Sequence, residues 1–368
     1  MSAASAIAQI LAKHAATEID PPVLQPAGLY LELAGEDLRK RAFLVDETGA
    51  ELCLRPDMTV PACRAALALP AWQGAFAVRY EGLVFRRQSA LKAGAAEFIQ
   101  SGAEWFAPAA RMSAQEPAII AAALESCRAA GAEPALRFGD VGVFAALVRA
   151  AGLSPEWSER LVRAFSRAGG PAAVMREAEA PPTPLSPIAK AVVDMPAEEA
   201  PLALESLLEE AGIAVIGNRS LDEIAARLRA QGVRDAQKPT PAQLAPIRAA
   251  LTIDEAPEKA FAALAGLPGG AGDPVERLRA RWAETCKLAG APADTRFVLG
   301  LGRGISYYDG FVFELEAPQL GPRASLGGGG RYDGLIQALA AAESSANGAG
   351  WAAAGFALRP KRLEDAAR

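Results

Sequence analysis

The feature that most constrains the fold is a change of periodicity that later reverses. Short β-like runs fill the first 110 residues. The stretch from about Leu153 to Leu288 turns rich in Ala, Leu, Glu and Arg at helical spacing, and β character then returns. Arg41 to Asp46 and Glu51 to Arg55 flank a Glu47-Thr48-Gly49 turn and read as an antiparallel hairpin; Ala75 to Arg86 and Glu97 to Phe106 repeat the pattern across a polar connection from Arg87 to Ala96. After the helical block come Arg296 to Leu301, Gly310 to Leu315 and a strand-to-helix unit from Trp351 to Leu363. Strands on both sides of one helical block predict an α+β chain with a mainly antiparallel sheet flanked by helices, not two successive α/β domains. The expected division is a core of residues 1–150 and 289–368 with a helical insertion over 151–288.

Local signals add detail. Ser113 and Glu116 have the spacing of a capping box, and Ile119, Ile120, Ala123 and Leu124 carry a helix towards Gly131. Prolines 181, 182, 184 and 187 and the stretch Gly266 to Gly272 interrupt the helical block. The run Gly327 to Gly330 lacks the Lys-Ser/Thr ending of a phosphate loop and reads as a close-packed turn.

Composition excludes several chemistries. His14 is the one histidine, so multi-histidine metal sites and Cys/His nucleophile pairs are not expected, and its neighbours Ile7, Ile10 and Leu11 give it a structural place on a helix edge. The four cysteines, Cys53, Cys63, Cys127 and Cys286, are scattered; they predict neither a disulfide framework nor a zinc site, and no cofactor or metal is expected. A net charge of −5 argues against broad nucleic-acid binding. No apolar run is long enough to span a membrane and Met1 to Ala16 lacks signal-peptide form, so a cytoplasmic chain is expected.

Three separated segments carry chemistry: Leu54-Arg55-Pro56-Asp57-Met58-Thr59, Phe85-Arg86 through Glu104, and Arg303-Gly304-Ile305-Ser306-Tyr307-Tyr308. With Gly329-Gly330-Arg331-Tyr332-Asp333-Gly334-Leu335 and Gly355-Phe356-Ala357-Leu358 leading to Arg362, this ordered set resembles the catalytic core of class II histidyl-tRNA synthetases. The helical insertion matches that family in position only. The resemblance implies a histidine-binding pocket. Asp57, Thr59 and Gln100 would face the α-amino group, Glu104 and Tyr308 the imidazole, and Arg86 and Arg303 the carboxylate, with Tyr307 and Phe98 as walls. Asp57 stands where the family usually has Glu. The residue types suit the ligand: an ammonium takes acceptors, a carboxylate takes guanidinium donors, and an imidazole is held through both ring nitrogens.

The nucleotide half departs from the family. Arg86-Arg87-Gln88 puts an amide where an acidic residue reads adenine, and the loop carries Ala93-Gly94-Ala95-Ala96 in place of basic and aromatic residues. In the last motif Arg359-Pro360-Lys361-Arg362 replaces a Gly followed by Leu-Glu-Arg, setting a side chain where backbone must approach the base. No anticodon-binding domain is expected after it.

A kept amino-acid pocket beside an eroded adenylation site is similar to the regulatory subunits of short-form ATP phosphoribosyltransferase. That likeness implies a non-catalytic subunit that activates a separate catalytic chain in the first step of histidine biosynthesis and conveys inhibition by L-histidine. It also implies a homodimer, with Ile19 to Arg41 in the place of the dimer motif, inside a hetero-oligomer. The competing readings are a divergent histidyl-tRNA synthetase or adenylating ligase, and a scaffold with a vestigial pocket.

Overall fold

The computed structural model describes all residues except 1, 34–40, 48–49, 71, 88–95, 167–169, 182–184, 214–219, 237, 268–271, 302–306 and 346. The described strands are β1 (Thr17–Glu18), β2 (Leu24–Pro26), β3 (Phe43–Glu47), β4 (Ala50–Leu54), β5 (Phe76–Phe85) and β6 (Glu97–Pro108) in the first third. They continue as β7 (Ala135–Asp140), β8 (Asp254–Glu255), β9 (Thr295–Val298), β10 (Phe311–Glu316), β11 (Ser325–Arg331) and β12 (Trp351–Leu358). Nine of them form one sheet in the order β1-β5-β6-β12-β11-β10-β7-β9-β8; β2, β4 and β3 form a second, small one. Only β1 with β5 and β7 with β9 pair in parallel, so the sheet is mainly antiparallel. Distant parts of the chain are thus joined edge to edge: β12, from the C-terminal end, lies between β6 and β11.

The expected long hairpin forms in full, from Phe76 opposite Phe106 to Phe85 opposite Glu97. The shorter hairpin forms too, with Asp46 opposite Glu51, but in the small sheet; its turn residues 48–49 lie outside the described residues. Strands β7 and β8 carry no alternating pattern in the sequence, and β8 falls inside the block read as helical. Both complete the far side of the sheet by pairing with β9.

The reading of Gly327 to Gly330 as a turn is corrected: these residues are the middle of β11, buried between β10 and β12. Their bareness serves strand packing. A Cβ at Gly329 would lie 1.9 Å from the Gly355 carbonyl oxygen, and one at Gly330 would lie 2.5 Å from that of Phe311. The capping box is corrected as well. The helix Glu116–Ala129 starts at Glu116, with no side-chain cap at Gln115, and Glu116 is drawn into a buried ion-pair network instead.

Side chains alternate across the sheet, and the two faces bury different cores. One face packs Trp105, Phe313 and Phe356 against the helices Ala3–His14, Glu116–Ala129 and Gly272–Ala289 in the larger apolar cluster. Within the helical block, Trp157, Leu161, Phe165, Ile247, Phe261 and Leu278 join that cluster, whereas Val192, Ala200, Leu204 and Ala225 form a small core of their own. The other face carries Val78, Phe106, Tyr307, Tyr308 and Tyr332 against the helix Asp333–Ala342. His14 is tied to the core's edge, its Nε2 3.3 Å from Glu125 Oε2, and all four cysteines are free thiols.

Candidate ligand-binding site

On the tyrosine-lined face, the ladder sets Phe98, Gln100, Gly102 and Glu104 of β6 to one side, with Gly355 and Ala357 of β12 beside them. The segment after β4 supplies Asp57 and Thr59 above this floor, and Arg359 follows directly on β12. A small cavity results, lined by Asp57, Thr59, Arg86, Gln100, Tyr307, Tyr308 and Arg359, with Ser325, Gly327, Gly328 and Ala357 closing it. Six of the eight residues singled out in the sequence therefore meet in one place. Arg303 lies outside the described residues, as do Gln88 and Ala93 to Ala95. Glu104 does not reach the cavity surface: it is fully buried one layer behind Thr59.

Asp57 is the most informative lining residue. Its Oδ1 accepts a hydrogen bond from the Val60 backbone N–H at 3.3 Å, while its Oδ2 is buried and accepts none from the described residues. Burial pushes its carboxyl above the usual range, against the opposing pull of the Arg86 guanidinium. A buried carboxylate oxygen without a donor is costly unless a cation arrives to meet it. Arg86 is anchored on the same segment through Nε to the Pro56 carbonyl at 2.6 Å, and its guanidinium lies 5.3 Å from the Phe98 ring centre. Gln100 Oε1 accepts from the Met58 backbone N–H at 3.1 Å, which leaves its second lone pair for a further donor.

Behind this lining, Glu104 is held at both oxygens. Tyr80 donates to Oε1 at 2.8 Å and Tyr332 donates to Oε2, with a further bond from Thr59. Burial raises its pKa to about 7, and these donors offset only part of that effect. Tyr80 and Tyr332 were not singled out from the sequence. Tyr332 sits within the quoted Gly329 to Leu335 run, but its partner is 228 residues away and no local pattern announces it.

A second guanidinium faces the same ring: Arg359 lies 4.6 Å from the Phe98 ring centre. Its backbone is extended (φ −110°, ψ 96°) ahead of Pro360, the first residue of the closing helix. The free volume of the cavity, about 40 Å³, holds a few waters.

The chain has counterparts among known proteins. The histidyl-tRNA synthetase family matches residues 2–202 and 190–363. An ATP phosphoribosyltransferase regulatory subunit of Brucella anthropi is 36% identical over 341 residues, covering 89% of this chain and 88% of the relative. One from Allorhizobium ampelinum is 33% identical over 98% of this chain and 96% of its own length. Among solved structures, an ATP phosphoribosyltransferase regulatory subunit/histidyl-tRNA synthetase from Bacillus halodurans superposes with a TM-score of 0.60 at 20% identity, over 100% of this chain and 78% of that one. A histidine–tRNA ligase subunit from Alicyclobacillus acidocaldarius gives 0.56 at 21% identity, over 99% and 91%. These structural likenesses establish the synthetase-like fold.

Proposed function

This chain belongs to the family of ATP phosphoribosyltransferase regulatory subunits, built on a histidyl-tRNA synthetase-like fold, and we propose that it binds free L-histidine in the cavity around Asp57. Through that binding it regulates a separate short-form ATP phosphoribosyltransferase catalytic chain in the first step of histidine biosynthesis, activating it and conveying feedback inhibition. It makes no histidyl-adenylate and charges no tRNA.

The observation that carries this reading is the unmatched Asp57 Oδ2 in a cavity also lined by Arg86. One orphan acceptor beside a guanidinium is the charge pattern of an amino acid's ammonium and carboxylate. Thr59 and the two lining tyrosines supply polar tips for a ring that carries donors and acceptors, with Glu104 one layer behind. Arg303, outside the described residues, is a further candidate for the carboxylate. Against adenylation stands Arg359, a side chain where the resemblance to the synthetases implies a glycine, with its guanidinium facing Phe98. The family relationship adds the catalytic partner, because a regulatory subunit requires an enzyme to regulate.

Histidine regulates such a complex only by binding one of its conformations better than another. We take the working unit to be a homodimer within a hetero-oligomer, without nucleic acid. No described helix is long and apolar enough to cross a membrane, and we place the complex in the cytoplasm. The test is reconstitution. Transferase activity is expected only when the chain is mixed with a short-form catalytic subunit, and it falls on addition of L-histidine. Robust histidine-dependent exchange of pyrophosphate into ATP by the chain alone overturns the proposal in favour of a ligase.

A further inference from the structure

The amino-acid cavity has a neighbour on the opposite face of the sheet. A charged cleft of about 780 Å³ opens there between the helices Glu116–Ala129, Val141–Ala150 and Gly272–Ala289. Its floor is a buried network. Arg331 Nη1 donates to Glu116 Oε1 at 2.8 Å and to Ser113 Oγ at 3.1 Å. Arg281, from the helix Gly272–Ala289, places Nε 2.6 Å from Glu116 Oε2 and donates from Nη1 to Asp140 Oδ2 at 2.8 Å. Asp140 in turn caps the helix Val141–Ala150 at the Val143 N–H.

Cavity and cleft are separated by a wall one residue thick. At the end of β11, Arg331 points into the cleft and Tyr332, the next residue, points to the other face and donates to Glu104. Tyr308, in the cavity lining, is followed directly by Asp309, in the cleft lining. The two pairs are joined, because the Asp309 N–H donates to the Arg331 carbonyl at 3.0 Å and the Asp309 carboxylate accepts from the Asp333 and Gly334 N–H groups. There is little slack: a Cβ at Gly310 would lie 2.9 Å from the Arg331 side chain. Such a wall passes displacement on, since close-packed interiors have little room to absorb it, and moving Arg331 alone takes from the buried Glu116 carboxylate one of its two guanidinium partners.

We propose that the Arg331–Tyr332 step is a relay: occupancy of the histidine cavity, met by Tyr332 through Glu104, is conveyed by Arg331, Glu116 and Arg281 to the Gly272–Ala289 helix and the cleft it walls. The relay rests on the histidine reading above and gives it a route. Of the two lining tyrosines, Tyr308 is followed directly by the cleft residue Asp309, and Tyr332, which holds Glu104 behind the lining, follows directly on Arg331, so a ligand that presses on Tyr308 or on the Thr59–Glu104 layer also acts on the cleft side. The helix that receives the displacement belongs to the inserted block and is held to the core by Arg281.

The test is hydrogen exchange on the full chain with and without saturating L-histidine, alongside calorimetry. Amides of the Gly272–Ala289 helix are expected to exchange about fivefold or more slower in the bound state, the low end of ordinary coupling. Glu116→Gln keeps the shape and removes the charge; histidine still binds it, and the slowing in that helix disappears. Arg281→Lys serves the same purpose if Glu116→Gln fails to fold. Histidine heat with protection confined to residues 57–104 and 307–358 overturns the relay alone. No histidine heat at all overturns the histidine reading, and the relay falls with it.

Discussion

Gly355 lies directly opposite Glu104 in the β6–β12 ladder, and a Cβ at Gly355 would come within 1.7 Å of Glu104 Oε2. The carboxyl that Tyr80 and Tyr332 hold is therefore housed in the space a missing side chain leaves. Gly355→Ala is expected to displace Glu104 from both phenols and to cost about 1–3 kcal/mol, the usual range for overpacking. Urea unfolding measures the loss; an unchanged midpoint would show that the ladder yields more readily than this contact implies.

Asp57→Asn separates stability from binding. The raised pKa of Asp57 means that its charged form is disfavoured in the folded chain, so the neutral amide is expected to raise the melting temperature at pH 7. The same change removes the anion that meets the ligand's ammonium. Histidine affinity should fall by about 10–100-fold, the equivalent of one charge-assisted hydrogen bond. Calorimetry and a melting curve on one preparation check both signs.

Glu104 gives the chain a pH signature. Its pKa is about 7 in the fold against an ordinary 4.5, so the folded chain holds this proton more tightly than the unfolded one. Stability from this group is then fully present below about pH 4.5, declines as pH rises, and levels off above about 7, a span on the order of 3 kcal/mol. Glu104→Gln should flatten that part of the pH–stability profile. An identical slope in the variant would assign the effect to another group.

Arg359→Ala uncovers Phe98. Millimolar ATP is expected to leave the melting temperature of the wild-type chain unchanged and to raise that of the variant through weak nucleotide binding. Pyrophosphate exchange should stay absent in both, because the sequence carries Gln88 where the resemblance to the synthetases implies an acidic residue. A clear ATP shift in the wild type would mean that the guanidinium swings aside without difficulty.

What could be read from the sequence was whatever is encoded locally. The β5–β6 hairpin announces itself by alternation, and its register alone carries Gln100 and Glu104 to one face. Asp57, Thr59, Arg86, Tyr307 and Tyr308 were legible because their flanking motifs resemble a known family. Local patterns fail where the partner is distant in sequence. Ser113 and Glu116 have capping-box spacing, yet both are recruited by Arg331, and the Glu116 contact spans 215 residues. Gly327 to Gly330 looks like a turn because nothing in four glycines reveals strands pressed on either side. Glu104 has the expected residue type but stands behind the cavity wall, a matter of side-chain depth that strand alternation does not specify.

The flanks of the large sheet have one more consequence. Strands β1 and β8, at its two ends, are two residues each, and the outer backbone of β5 is further occupied by Ile19 N–H on the Arg79 carbonyl, Arg55 Nε on that of Leu83, and Phe85 N–H on that of Arg55. Little unsatisfied ladder is left on that side to template another strand. Self-association along this edge is therefore expected to use side-chain surfaces, and a version lacking residues 17–26 would bare the β5 rim and become prone to fibrous aggregation.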